Sequence, residues 1–242
     1  MSKIEWTELT WNPTTGCTKV SPGCKHCYAE EMANRLEKIP GAGYENGFNL
    51  TLHEDRLSIP LKRKKPTTYF VNSMSDLFHA DIPDTFIEKV LDIANRTPQH
   101  TYQILTKRSE RLPDFFSRYV APDNVWIGVS VEDKKYGLPR INRLRQVKAK
   151  VRFLSIEPLL ESLGAIDLTG IHWVIVGGES GRNARPIKPE WVSEIRDQCI
   201  AENIPFFFKQ WGGKDKSKAG KLLDGIAWAQ TPKHPDIHPE LW

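Results

Sequence analysis

The chain has 242 residues, of which 39% are hydrophobic and 26% charged, and a net charge of +4. That length and balance belong to a globular protein able to bury its own core, which excludes a disulfide-stapled scaffold and an intrinsically disordered chain. No apolar run approaches the roughly 18 residues of a membrane span, and the start MSKIEWTELTW has no apolar signal stretch, so a cytoplasmic, thiol-reducing setting without a membrane partner is expected.

After a short strand-like start, three of the four cysteines fall within eleven residues, as Cys17, Cys24 and Cys27. Three thiolates this close bind a soft metal or a cluster. They are one short of the four ligands of a closed structural site, so a coordination position stays open. Spacing alone admits two occupants equally: an iron–sulfur cluster, or zinc with His26 or His53 as a fourth ligand. Cys199 lies 172 residues beyond Cys27 and reads as a small core residue.

Further along, short apolar, β-branched or aromatic runs recur at 68–71, 102–105, 125–131, 151–156, 173–176 and 205–208. Helix-like segments fill the gaps at 84–95, 110–118, 140–147 and 189–203. The last opens on Lys188-Pro189-Glu190, with proline and an acid in the first turn as a helix start prefers. Near-continuous apolar strands alternating with amphipathic helices predict a parallel sheet buried on both faces. The predicted fold is a single α/β domain over 1–242, a full or partial (β/α) barrel of six to seven parallel strands. Residues 39–66 read as an insertion and 214–242 as a C-terminal extension; a doubly wound open sheet is the alternative. The basic stretch 134–152 carries Ile141, Leu144 and Val147 at helical spacing and reads as a solvated helix face.

Each predicted strand ends in polar groups and small residues at the same relative place. The endings include Asn72-Ser73-Met74-Ser75-Asp76, Thr106-Lys107-Arg108, Ser130-Val131-Glu132, Ser155-Ile156-Glu157, Gly177-Gly178-Glu179 and Lys209-Gln210. Parallel barrel strands bring their carboxyl ends to one face, so these endings predict one polar site lined by Lys107, Arg108, Glu132, Glu157, Glu179 and Lys209. Glu157 and Glu179 in a shared dry site would repel, and at least one carboxyl is expected above its ordinary pKa. The competing reading has each carboxylate capping a helix or pairing with Arg182 or Arg185. The turn Gly177-Gly178-Glu179-Ser180-Gly181 has neither the lysine of a P-loop nor the spacing of a hydrolase elbow.

The cysteine loop followed by β/α units resembles the radical S-adenosylmethionine (radical SAM) enzymes. Within them it resembles a phage-associated family with the pattern Trp-Asn-Pro-x-x-Gly-Cys…Cys-x-x-Cys-Tyr, here Trp11-Asn12-Pro13-Thr14-Thr15-Gly16-Cys17 and Cys24-Lys25-His26-Cys27-Tyr28. The runs Phe153-Leu154-Ser155-Ile156-Glu157-Pro158, Gly177 to Gly181 and Phe207-Phe208-Lys209-Gln210-Trp211 are similar to that family as well. Two features depart from most radical SAM enzymes: six residues rather than three separate the first two cysteines, and His26 stands where an aromatic residue usually packs near adenine.

The resemblance implies a [4Fe–4S] cluster on Cys17, Cys24 and Cys27, with S-adenosylmethionine (SAM) on the free iron. Reductive cleavage by an external electron donor would yield methionine and a 5′-deoxyadenosyl radical that takes hydrogen from a substrate. By strand order, Asn72, Ser73 and Ser75 would contact the methionine moiety, Lys107 or Arg108 its carboxylate, and Ser130 or Glu132 the ribose. Glu157, Glu179, Lys209 and Gln210 would face substrate. Eight tryptophans and mild basicity fit a nucleic-acid substrate about as well as a small molecule or peptide. A non-enzymatic alternative is a zinc- or cluster-stabilised barrel that binds nucleic acid without radical chemistry.

Overall fold

A computed structural model describes residues 4–215 and 219–232. Seven parallel strands form its sheet: β1 (Leu9–Trp11), β4 (Thr68–Val71), β5 (Thr101–Thr106), β6 (Val125–Ser130), β7 (Val151–Ile156), β8 (Trp173–Gly177) and β9 (Phe206–Gln210). They lie side by side in that order, so no strand is inserted out of sequence, which excludes a doubly wound sheet. Helices α2 (Asp84–Arg96), α3 (Leu112–Arg118), α4 (Leu138–Arg145) and α5 (Pro189–Ala201) connect strands, and α1 (Tyr28–Leu36) follows the cysteines. The connection between β7 and β8 contains no helix. Its buried Leu159, Leu163, Ile166, Leu168 and Ile171 cover the sheet instead.

Alternation along the strands produces two apolar faces. One set, including Tyr69, Tyr102, Ile127, Leu154, Val174 and Phe206, packs with the helices in the main core. The other set, Phe70, Trp126, Phe153, Trp173, Ile175 and Phe207, packs with Trp6 in a second cluster. Trp6 lies 4.7 Å from Phe70 of β4 and 6.1 Å from Trp173 of β8, ring centre to ring centre. In a flat sheet those strands would be roughly 19 Å apart, at about 4.8 Å per step. The sheet therefore curls around Trp6 into a partial barrel, open because β1 and β9 do not pair among the described residues. Gly128 serves this interior: a Cβ there would come within 2.4 Å of the Phe153 ring.

Segment 39–66 contributes β3 (Thr51–Leu52), which pairs antiparallel with β2 (Thr14–Thr15) and braces the chain just before the first cysteine. In the C-terminal segment, β10 (Leu222–Leu223) and β11 (Ile226–Ala227) form a hairpin. The chain beyond it lies along β9: Phe208 N–H donates to Trp228 O at 2.9 Å, so the sheet edge is covered. Residues 216–218 and 233–242 of the expected extension lie outside the described residues. Among the described residues, no helix is long and apolar enough to cross a membrane.

Candidate active site

The three cysteines sit on one loop at the carboxyl end of the sheet. Gly16 starts it with φ +81°, where a Cβ would overlap Asn49 O at 2.1 Å. Its N–H donates to Met74 O at 3.0 Å and its carbonyl accepts from Ser75 Oγ at 2.7 Å, which moors the loop to the segment following β4. Cys24 closes a short 3₁₀ turn, and Cys27 is the residue capping the N-terminus of α1. All three thiols are free and half-buried. Burial raises the Cys17 thiol, with Asp76 adding to the rise and Arg108 opposing it. Cys199 is fully buried in the core side of α5, and burial pushes its thiol up to about 12, so it takes no part in the loop.

The strand ends reach this loop with three clamps. Glu132, with no exposed surface, pairs with Arg140 at 2.5 Å and accepts a hydrogen bond from the Ser21 hydroxyl in the loop. Gly23 packs on the same carboxylate, where a Cβ would come within 3.0 Å. Glu179 accepts from Arg185 Nη2 at 2.5 Å, from its Nε at 2.8 Å and from its backbone N–H at 2.9 Å. The same Arg185 Nη2 donates to Pro22 O at 3.0 Å. Arg108 donates to Asp76 at 3.2 Å, to Cys17 Sγ at 3.3 Å, and to Thr18 O and Oγ1 at 2.8 and 2.9 Å. Burial alone would raise both glutamates. For Glu132, Lys107, Arg140 and Ser21 outweigh it; for Glu179, Arg185 chiefly and His26 do so, and both carboxyls lie below the usual range.

The expected repulsion between Glu157 and Glu179 is thus corrected, because each has its own cation. Glu157 accepts two bonds from Lys209 Nζ, at 2.7 and 2.9 Å, and Gln210 Nε2 lies 3.4 Å away. The solvated-face reading of 134–152 is corrected at Arg140, which is 3% exposed and turned onto Glu132. Among the residues expected at SAM, Ser73 donates to Asn12 Oδ1 at 3.2 Å, and Lys107 donates to the Ser130 hydroxyl at 2.9 Å. Asn72, at φ +60°, accepts from Thr14 N–H at 3.3 Å. Buried Asn72 Nδ2 and Gln210 Oε1 have no partner, leaving one donor and one acceptor at the strand ends. Asp76, Arg140 and Ser21 were not among the expected site residues. The site partners of Asp76 and Ser21, beyond their neighbours Phe78 and Cys24, lie 30 to 111 residues away, and Arg140 sits in a stretch that reads as a surface helix.

Three free thiols on one loop are the donor set that a three-cysteine cluster would use. Among the described residues, no three Cys, His, Asp or Glu side chains, the three cysteines included, are gathered closely enough to hold a single ion. His53 hydrogen-bonds Thr15 Oγ1 at 2.8 Å.

A family model described as "Protein of unknown function (DUF5131)" matches residues 1–232. The chain belongs to that family. This DUF5131 protein is also similar to solved structures of spore photoproduct lyase. One mutant is 16% identical, with 81% of this chain and 62% of that chain covered and a TM-score of 0.47. A second mutant, with bound AdoMet and dinucleoside spore photoproduct, is 13% identical, with 78% and 60% covered and a TM-score of 0.45. The complex with dinucleoside spore photoproduct is 13% identical, with 76% and 58% covered and a TM-score of 0.44. The DUF5131 chain thus spans 58–62% of the length of these structures. No curated protein matches it.

Proposed function

We propose that this chain is a radical SAM enzyme in which Cys17, Cys24 and Cys27 hold a [4Fe–4S] cluster. One observation carries the reading: three free thiols share a loop over the carboxyl ends of a parallel half-barrel, and Cys199 lies away from them. Bound there, the cluster and SAM supply reductive cleavage of a sulfonium C–S bond and hydrogen abstraction from a substrate.

The chain's own residues then do the positioning. Asn72, Ser73 and Ser75 follow β4 beside the loop, and the unpartnered Asn72 Nδ2 is a donor for a carboxylate. Lys107 donates to the Ser130 hydroxyl and is the cation available to the methionine carboxylate, whereas Arg108 is engaged with Asp76, Cys17 and Thr18. Ser130 would meet the ribose. His26, close enough to Glu179 to lower its pKa, would meet the adenine. Glu132 and Glu179 keep the loop in place through Ser21 and Arg185. Glu157, Lys209 and Gln210 form the group that meets substrate, where the ammonium–carboxylate pair can hold a polar group or move a proton. An external donor provides the electron, and a reducing cytoplasm keeps the thiols free. The substrate is a nucleic acid or a small molecule or peptide.

Anaerobic preparation with iron and sulfide is expected to give a brown protein with about four irons per chain. One tightly held zinc in a colourless protein under the same treatment would instead support the nucleic-acid-binding barrel.

A further inference from the structure

The floor of the site opens sideways into a cleft of about 400 Å³, bounded by Val20 of the cysteine loop, the end of β5 and the start of α4. Its floor holds Lys107, Arg108 and Arg140, and its rim Lys135, Tyr136 and Arg143. Glu110 is the only acid in the lining. Asp76 and Glu132 match Arg108 and Arg140 from below. Arg143 shares Glu110 at 3.0 Å, with side chains 39% and 61% exposed, and such a surface pair yields readily to another anion. Lys135 pairs with no carboxylate among the described residues; its ammonium lies over the Tyr136 ring, 5.2 Å from the centre. Tyr136 is 38% exposed, so part of its surface is accessible to a stacking partner.

Two rim cations with no firm partner, a partly exposed aromatic ring and, on the floor toward the cysteines, Lys107 with no paired carboxylate among the described residues form a graded track. A compact anion would be met by cations converging at one point, whereas these are spread from rim to floor. A strand with regularly spaced phosphates and stacking bases matches the spread. We propose that the cleft binds single-stranded nucleic acid, with phosphates on Lys135 and Arg143 and a base on Tyr136, and leads the strand to the cysteine loop. The inference deepens the radical SAM reading by naming its substrate class and rests on it for the purpose of binding; the binding itself needs no cluster.

The test is fluorescence anisotropy of labelled oligothymidylate and oligouridylate on the full chain over a salt series. K135E/R143E is expected to weaken binding about tenfold or more and to lower the salt slope by roughly 0.7 for each phosphate no longer neutralised. K64E/K65E makes the same charge change just before β4, at the opposite end of the strands, and should leave affinity unchanged. If the reversed pair disturbs the thermal transition, K135Q/R143Q is used and should still weaken binding several-fold. Equal weakening by both double variants, no binding by the wild type, or equal competition by polyglutamate or inorganic phosphate would overturn the proposal. Iron content, read on the same samples, separates the two claims. Strand binding in a chain that takes up no cluster would sink the radical SAM reading alone, and a full cluster without strand binding would sink this one alone.

Discussion

Arg140→Leu is expected to lower the unfolding free energy by about 3–5 kcal/mol, because it leaves the fully buried Glu132 without its closest cation. Arg140 also donates to Ser130 O at 2.8 Å, so a backbone acceptor is stranded with the carboxylate. Replacing Glu132 as well should recover much of the loss, since a buried pair exchanged for two apolar groups is often near neutral. Urea unfolding at neutral pH checks both. A loss below about 1 kcal/mol for Arg140→Leu would mean that water or Lys107 carries the charge. The acid limb supplies a second check. A carboxyl depressed in the folded state adds stability that is present above its unfolded value, about 4.3 for glutamate, and is lost as pH falls through the folded value. Glu132 and Glu179 are both depressed, so wild-type stability falls below about pH 4, and Arg140→Leu should show a shallower fall.

Alanine at Cys17, Cys24 or Cys27 is expected to reduce bound iron to less than about a tenth of wild type, each change alone removing the cluster. Cys199→Ala should retain all of it, because that thiol lies in the core between α5 and the sheet. The contrast matters because all four residues are reduced cysteines and only position distinguishes them. Iron lost equally in Cys199→Ala, with folding intact, would contradict the assignment.

Much of the architecture was legible because parallel strands buried on both faces leave continuous apolar runs, and six of the seven strands stood out this way. β9 ran past its expected end because Lys209 follows the inward alternation of Phe207, a period that a polar residue hides. α1 was missed: its buried residues are only Ala29 and Ala33, too small to mark an apolar stripe. α4 begins at Leu138, two residues before the expected start, with Pro139 in its first turn as the overlooked signal. Between β7 and β8, where no helix was predicted, an irregular apolar segment covers the sheet.

In the site, the positions of the polar groups were legible from the strand ends, but their partners mostly were not. Glu179 and Arg185 are six residues apart, and the pair was within reach of the sequence. Ser21 and Glu132 are 111 residues apart, and only the curl of the sheet brings them together. The unforeseen consequence is that several groups expected to face a ligand hold the cysteine loop instead.

The measurement that bears most directly on the radical SAM assignment is the release of 5′-deoxyadenosine and methionine when reconstituted, reduced protein is mixed with SAM in the absence of substrate. The account predicts slow but clear formation of both in equal amounts, absent in the Cys17, Cys24 and Cys27 variants. A four-iron protein that binds SAM yet forms neither product, under reduction verified by loss of the cluster's visible absorption, would contradict it.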